Sequence, residues 1–142
     1  MLSQTAEYAL RAVVTLATGR PDPRTAQDIA VESRVPLDYL SKVLNSLARA
    51  GIVSGQRGRG GGFQSVRPPA ELTVLQVVNA VDPIQRIRTC PLGLKQHGEH
   101  LCPLHRKLDD AMLGVEEAFG ATTIESLVGK SFCEGSRCDV AA

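Results

Sequence analysis

A chain of 142 residues with a formal net charge of +1 and four cysteines is one domain of ordinary size, long enough to bury a core. It has no apolar run near the ~18–20 residues that cross a bilayer and no secretory leader, so a cytoplasmic location and no membrane partner are expected, with thiols that bind metal, react or lie buried rather than pair. Charge is uneven: residues 1–67 carry nine Lys/Arg against five Asp/Glu and residues 68–142 seven against ten, which suits a nucleic-acid-facing part joined to a ligand- or partner-facing one.

Taken in order, Ser3 or Thr5 caps a first helix running to about Thr18, with Ala6, Ala9, Leu10, Val13, Val14 and Ala17 on its inner face. Gly19, Pro21 and Pro23 break it. Thr25 opens a short helix through Ile29, Ala30 and Val31, and Ser33-Arg34-Val35 turns into a longer one over Pro36 to Ala50. There Leu37, Leu40, Val43, Leu44 and Leu47 fall on one face, while Asp38, Ser41, Lys42, Asn45 and Arg49 fall on the other. Gly51 is placed to end that helix. Ile52-Val53 and Phe63–Val66 read as two short strands around the basic, glycine-rich tip Arg57-Gly58-Arg59-Gly60-Gly61-Gly62.

Thr73 caps a further helix through Val74, Leu75, Val77, Val78 and Val81 to Pro83. Pro83 to Pro103 shows no periodicity and reads as a long loop, a length that usually signals function or disorder. From Leu104 to Phe119 the apolar residues Leu104, Leu108, Ala111, Met112, Val115, Ala118 and Phe119 recur at helical steps, over ~24 Å at 1.5 Å per residue. This stripe follows a small module that is complete without it, so packing against its own copy in a homodimer is the expected use. Thr122-Thr123-Ile124-Glu125 reads as a capping box for a last short helix that Gly129 closes.

Two short helices joined by a tight turn and followed by a basic hairpin form a winged helix-turn-helix, mainly α with a small β-hairpin wing. In that arrangement the second helix enters the major groove and the wing meets the backbone or minor groove. Lys42, Arg49, Arg57 and Arg59 supply phosphate-directed charge, and Ser41 and Asn45, one turn apart, offer hydrogen bonds to a base edge. No phosphate-binding loop, zinc-protease helix or nucleophile elbow is present, so an enzyme is not expected. A protein-interaction adaptor is the alternative that keeps the same fold.

The start Met1-Leu2-Ser3-Gln4-Thr5-Ala6-Glu7-Tyr8-Ala9-Leu10, the helix at Asp38-Tyr39-Leu40-Ser41-Lys42, the Gly58–Phe63 wing, the Leu72–Asp82 helix and a cysteine-bearing loop before a long helix resemble the IscR/NsrR family of bacterial winged-helix transcriptional regulators. The resemblance covers about residues 1–128. It implies a cytoplasmic homodimer on double-stranded, palindromic operator DNA, often with a sensory cluster or thiol that alters DNA affinity, and leaves activator or repressor open. By the same resemblance, Asp38, Ser41, Lys42 and Asn45 match the recognition helix and Arg57 a wing arginine that enters the minor groove, with Arg59 beside it. Cys90 and Cys102, with eleven residues between them, and His105 match the outer cysteines and the downstream histidine of cluster-binding members. Gln96 stands where the middle cysteine of that pattern would be, and Glu7 matches a carboxylate that is a ligand in some members. His97 and His100 are alternative fourth ligands.

The implied cofactor is an iron–sulfur cluster, 2Fe-2S or 4Fe-4S, suited to soft thiolate donors with imidazole as a substitute. Zinc, a thiol/disulfide switch at Cys90 and Cys102, or no ligand after loss of the middle cysteine remain open. The expected division is residues 1–82 for DNA binding, 83–103 for a sensor loop, 104–120 for a dimerisation helix, and 121–142 for a short helix and a tail holding Cys133 and Cys138.

Overall fold

A computed structural model describes residues 2–18, 22–89 and 101–128. Six helices and one hairpin make up these segments: α1 (Gln4–Ala17), α2 (Ala26–Ser33), α3 (Leu37–Arg49), β1 (Val53–Gln56), β2 (Gly62–Ser65), α4 (Val74–Val81), α5 (Pro103–Ala121) and α6 (Ile124–Val128). Their mainly helical architecture with one antiparallel wing is the fold class expected from the sequence.

Each helix start has a side-chain partner for an orphan N–H, except that of α3. Ser3 rather than Thr5 caps α1, accepting from Ala6; Thr25 caps α2, accepting from Asp28. Thr73 and Gln76 form a reciprocal capping box on α4. Pro36 caps α3 with no side-chain bond and lies one position outside the helix. At its other end Gly51, at φ +73°, lets the chain reverse: its N–H donates to Ala48 O and the Ile52 N–H to Leu47 O, the paired bonds of a Schellman stop.

The core collects Ala6, Ala9, Ala12, Val13, Val14 and Leu16 from α1, Ile29 from α2, Leu40, Val43, Leu44 and Leu47 from α3, and Val74, Val77 and Val78 from α4. Ile52, Val53, Leu72 and, from α6, Ile124 complete it. Ser33, the one buried polar residue among those described, is satisfied by donating its hydroxyl proton to the Ile29 carbonyl.

Several local expectations are corrected. Leu37 is 40% exposed, because it lies in the first turn of α3, before the helix reaches its neighbours. β1 begins one residue later than expected, at Val53, and runs on to Gln56, because Ile52 is taken up by the stop of α3; β2 begins and ends one residue earlier than expected, leaving Val66 exposed beyond it. Val31 is 80% exposed, and α2 continues past it to Ser33. The last helix is capped by Thr123, whose Oγ1 accepts from the Ser126 N–H. Thr122 instead donates its hydroxyl proton back to Ala118 O at the end of α5, so Glu125 completes no box. Gly129 lies outside the described residues.

The helix α5 differs from all of these, since none of its residues is buried. Its C-terminal end is tied to the core by backbone bonds from Val74 N–H to Thr122 O and from Ile124 N–H to Leu72 O. Its polar side is held by Arg86, which donates through Nε and Nη2 to both Asp109 carboxylate oxygens at 2.7 Å and through Nη1 to Glu116 at 3.1 Å. The Ile87 N–H adds a bond of 2.9 Å to Asp109. Paired this way, Asp109 is lowered to about 2 and Arg86 is raised, each chiefly by the hydrogen bonds between them.

Candidate nucleic-acid interface

The helix α3 presents its two faces as its sequence period dictates. Leu40, Val43, Leu44 and Leu47 go into the core, and Asp38, Ser41, Lys42, Asn45 and Arg49 are exposed on the other side. The Ser41 hydroxyl donates to Leu37 O at 3.1 Å, which leaves its lone pairs to accept from outside. The absence of a side-chain cap on α3 leaves its first N–H groups pointing outward with the positive end of the helix dipole. Such an end attracts phosphate.

Tyr39, in the first turn of α3, meets Tyr8 of α1 edge-to-face, with ring centroids 5.6 Å apart at 74°. Gln4 donates to the Tyr8 hydroxyl at 2.9 Å. Nothing in the spacing of these residues signals the pair, because they belong to different helices.

The wing is paired in the register Val53↔Ser65, Ser54↔Gln64, Gly55↔Phe63 and Gln56↔Gly62. Between its strands the tip carries Arg57 and Arg59, both exposed. The hairpin does not stand alone. Arg24, just before α2, bridges to Phe63 in antiparallel fashion, with N–H···O bonds of 2.9 and 2.7 Å. Gly62 makes that approach feasible: a Cβ there would lie 2.4 Å from Arg24 O, and its φ of +147° is one that other residues rarely adopt. The Phe63 ring packs against the core, so the wing is fixed to the same body that carries α3.

The structure therefore brings Asp38, Ser41, Lys42 and Asn45 together on one exposed face and Arg57 and Arg59 together on one exposed tip. Cys102 caps α5, its thiol lying 3.1 Å from His105 Nδ1 and accepting from the His105 N–H at 3.5 Å. Glu7 is exposed and paired with Arg11 at 2.7 Å. No three of the His, Cys, Asp and Glu side chains among the described residues converge as a metal site. Cys90, His97 and His100, like Cys133 and Cys138 of the tail, lie outside the described residues. The thiol and imidazole at Cys102 and His105 are soft donors that fit an iron–sulfur or zinc site in kind and in proximity, but they make half of one. Sequence reasoning missed Arg24, the tyrosine pair and the Arg86 clamp, all of which depend on contacts between separate elements.

Comparison with known proteins agrees with this geometry. The model of the Rrf2 family, described as an iron-dependent transcriptional regulator, matches residues 2–130. An HTH-type transcriptional regulator of Aquifex aeolicus is 26% identical over 131 residues, covering 90% of this chain and 91% of the relative. One from Mycobacterium tuberculosis is 34% identical over 94 residues, covering 65% and 58%. Among solved structures, CymR, the global cysteine regulator of B. subtilis, superposes with a TM-score of 0.73 at 24% identity, covering 91% of this chain and 96% of that one. IscR of T. potens does so with a TM-score of 0.75 at 17% identity, covering 98% and 96%. These two likenesses concern the fold. The sequence relatives are named as regulators of transcription. No helix among the described residues is long and apolar enough to cross a membrane.

Proposed function

We propose a function from one premise: this chain belongs to the Rrf2 family and is a DNA-binding transcriptional regulator. It acts as a homodimer in the cytoplasm, on a palindromic operator. The observation that carries this reading is the exposed polar face of α3 beside an arginine-tipped wing, both fixed to one core. Asp38, Ser41, Lys42 and Asn45 face the major groove, where Asp38 can accept from a cytosine amino group and Asn45 can pair with adenine. Arg57 enters the minor groove and Arg59 holds the adjacent backbone.

Residues 1–82 form the DNA-reading unit, and residues 104–120 the dimerisation helix. Leu104, Leu108 and Val115 are exposed along α5, and Leu113 is exposed as well. A stripe of that size on a helix without a buried residue calls for a partner surface, and a second copy supplies one of matching shape. The 83–103 loop is the sensor and 121–142 the return segment and tail.

Cys90, Cys102 and His105 hold an iron–sulfur cluster, with Glu7, His97 or His100 as fourth ligand. In support stand the adjacency of the Cys102 thiol and His105 ring and the description of the family as iron-dependent. When bound, a cluster supplies a redox- and iron-responsive group at the start of the dimer helix. This chain's own part is to hold the donors together, with Cys102 fixed by its capping bond and Asp109 and Glu116 tying the start of the loop, at Arg86, to α5. The contact between thiol and imidazole equally favours a second reading, in which Cys102 reacts as a thiol switch.

Fluorescence anisotropy on labelled duplexes tests DNA binding. Lys42→Ala is expected to weaken all duplexes alike, and Arg57→Ala to act most on A·T-rich sites with a narrow minor groove. If neither variant changes binding to any duplex, the proposed contacts are wrong. Iron and sulfide analysis with an absorption spectrum, on protein purified without oxygen, tests the cluster. A colourless protein that resists reconstitution overturns it and leaves thiol titration before and after mild peroxide to test the switch.

A further inference from the structure

We propose that Arg24 is a positioning residue for DNA recognition: it anchors the wing to the helical body and thereby sets where Arg57 reaches. The inference rests on the reading of the wing as a DNA contact and adds to it a residue that touches no DNA. Three observations converge on Arg24. Its backbone forms the two-bond bridge to Phe63 that makes it, in effect, a third strand of the wing. Its side chain, only 13% exposed, donates through Nη1 to Thr15 O at 3.0 Å and to Glu32 Oε2 at 2.6 Å. Its carbonyl lies against Gly62, where any Cβ would collide.

The partners explain why an arginine serves here. Thr15 O is among the last four carbonyls of α1, which lack a helical N–H partner; the Thr18 hydroxyl donates to it at 3.0 Å, a second lone pair is left for Arg24, and α1 has no basic residue of its own in its last turn. A guanidinium brought from outside meets that negative helix end, and the Glu32 carboxylate on α2 holds the same group from the other side. The side chain therefore joins the end of α1 to α2, while the main chain of the same residue grips β2. A wing tip carried at the far end of a short hairpin moves by more than its base does. A small shift at Phe63 would therefore displace Arg57, and a contact that must fit a narrow groove tolerates little displacement.

The test is a double-mutant cycle of Arg24→Ala and Arg57→Ala, read as dissociation constants on one A·T-rich operator and on a G·C-rich duplex of equal length. Arg57→Ala is expected to weaken operator binding roughly tenfold, as loss of one charge-assisted contact does. Arg24→Ala should weaken the operator roughly three- to tenfold and leave the G·C-rich duplex, held by phosphate contacts, within about twofold of wild type. The double variant should be no weaker than Arg57→Ala by more than about twofold, since Arg24 acts through Arg57. Arg24→Lys, which keeps the charge, should recover part of the loss. It also carries the same cycle if Arg24→Ala does not fold.

Full additivity of the two changes, or equal weakening on both duplexes, overturns the positioning role while leaving the wing contact standing. A null result for Arg57→Ala on every duplex removes the wing contact itself, and the proposal with it.

Discussion

The body built from α1–α4 and α6 and the helix α5 solve the same problem in opposite ways. In the first, every helix drives apolar side chains into a shared core, from Ala9 and Val13 on α1 to Ile124 on α6. In the second, a helix of 19 residues buries none of them and is held by its C-terminal end, where Phe119 packs against the core, and by an arginine fork on its polar side. A strong apolar period can therefore serve two ends. In the body it folds inward; on α5 no element among the described residues covers Leu104, Leu108 and Val115, and they stay exposed.

The largest effect is expected from breaking the first region. Leu44→Ala removes a fully buried side chain and should cost ~2–5 kcal/mol by transfer and cavity terms. Denaturant unfolding should show α5 lost in the same transition, because it has no core of its own to survive on. Next comes the proposed partner surface of α5: the pair Met112→Glu and Val115→Glu places charge where the proposal has a second copy pack. Sedimentation should change from dimer to monomer at micromolar concentration. Operator affinity should fall roughly a hundredfold with the loss of the second half-site, while the unfolding of the single body changes little. A wild type that sediments as a monomer breaks the comparison, since α5 would then stand uncovered.

A smaller change is expected at the wing. Gly62→Ala forces a Cβ against Arg24 O and strains a left-handed backbone, and should cost roughly 1–3 kcal/mol of stability together with A·T-selective affinity. The Arg86 clamp sharpens the comparison by its pH dependence. Asp109 is lowered from 3.8 to about 2 in the folded chain. Its contribution is thus complete above pH 4 and disappears as pH falls through that interval. Arg86→Ala should lower the unfolding midpoint at neutral pH, and the gap from wild type should close as pH drops toward 2. The smallest effect is that of Lys42→Ala, exposed on α3: stability stays within about 0.5 kcal/mol of wild type, and the salt slope of DNA binding falls by roughly one.

How far these features could be read from sequence follows the range of the interactions that make them. The α3 faces and the stop at Gly51 rest on neighbours within one or two turns, and the residue types alone carry them. The glycine-rich tip is equally local. Leu37 shows the limit of such reasoning: period assigns it a face, but only the position of neighbouring helices determines whether that face is covered at its first turn. The same limit hid the cap of α6, where two adjacent threonines offer equal starts and the end of α5 takes one of them. Arg86 and Asp109 lie 23 residues apart across the cysteine loop, and Arg24 reaches partners on both α1 and α2. Charged residues in those positions look like an ordinary solvated surface until the fold brings them together.

Selection from a pool of random duplexes tests the central claim most directly, because it presupposes neither an operator nor a sensor. The account predicts enrichment of a two-fold symmetric sequence whose half-sites are centred about one helical turn, or a multiple of it, apart. The enrichment should be lost with the Met112→Glu and Val115→Glu pair. Binding without any enriched sequence, or enrichment of a single unpaired site by a monomer, would contradict it.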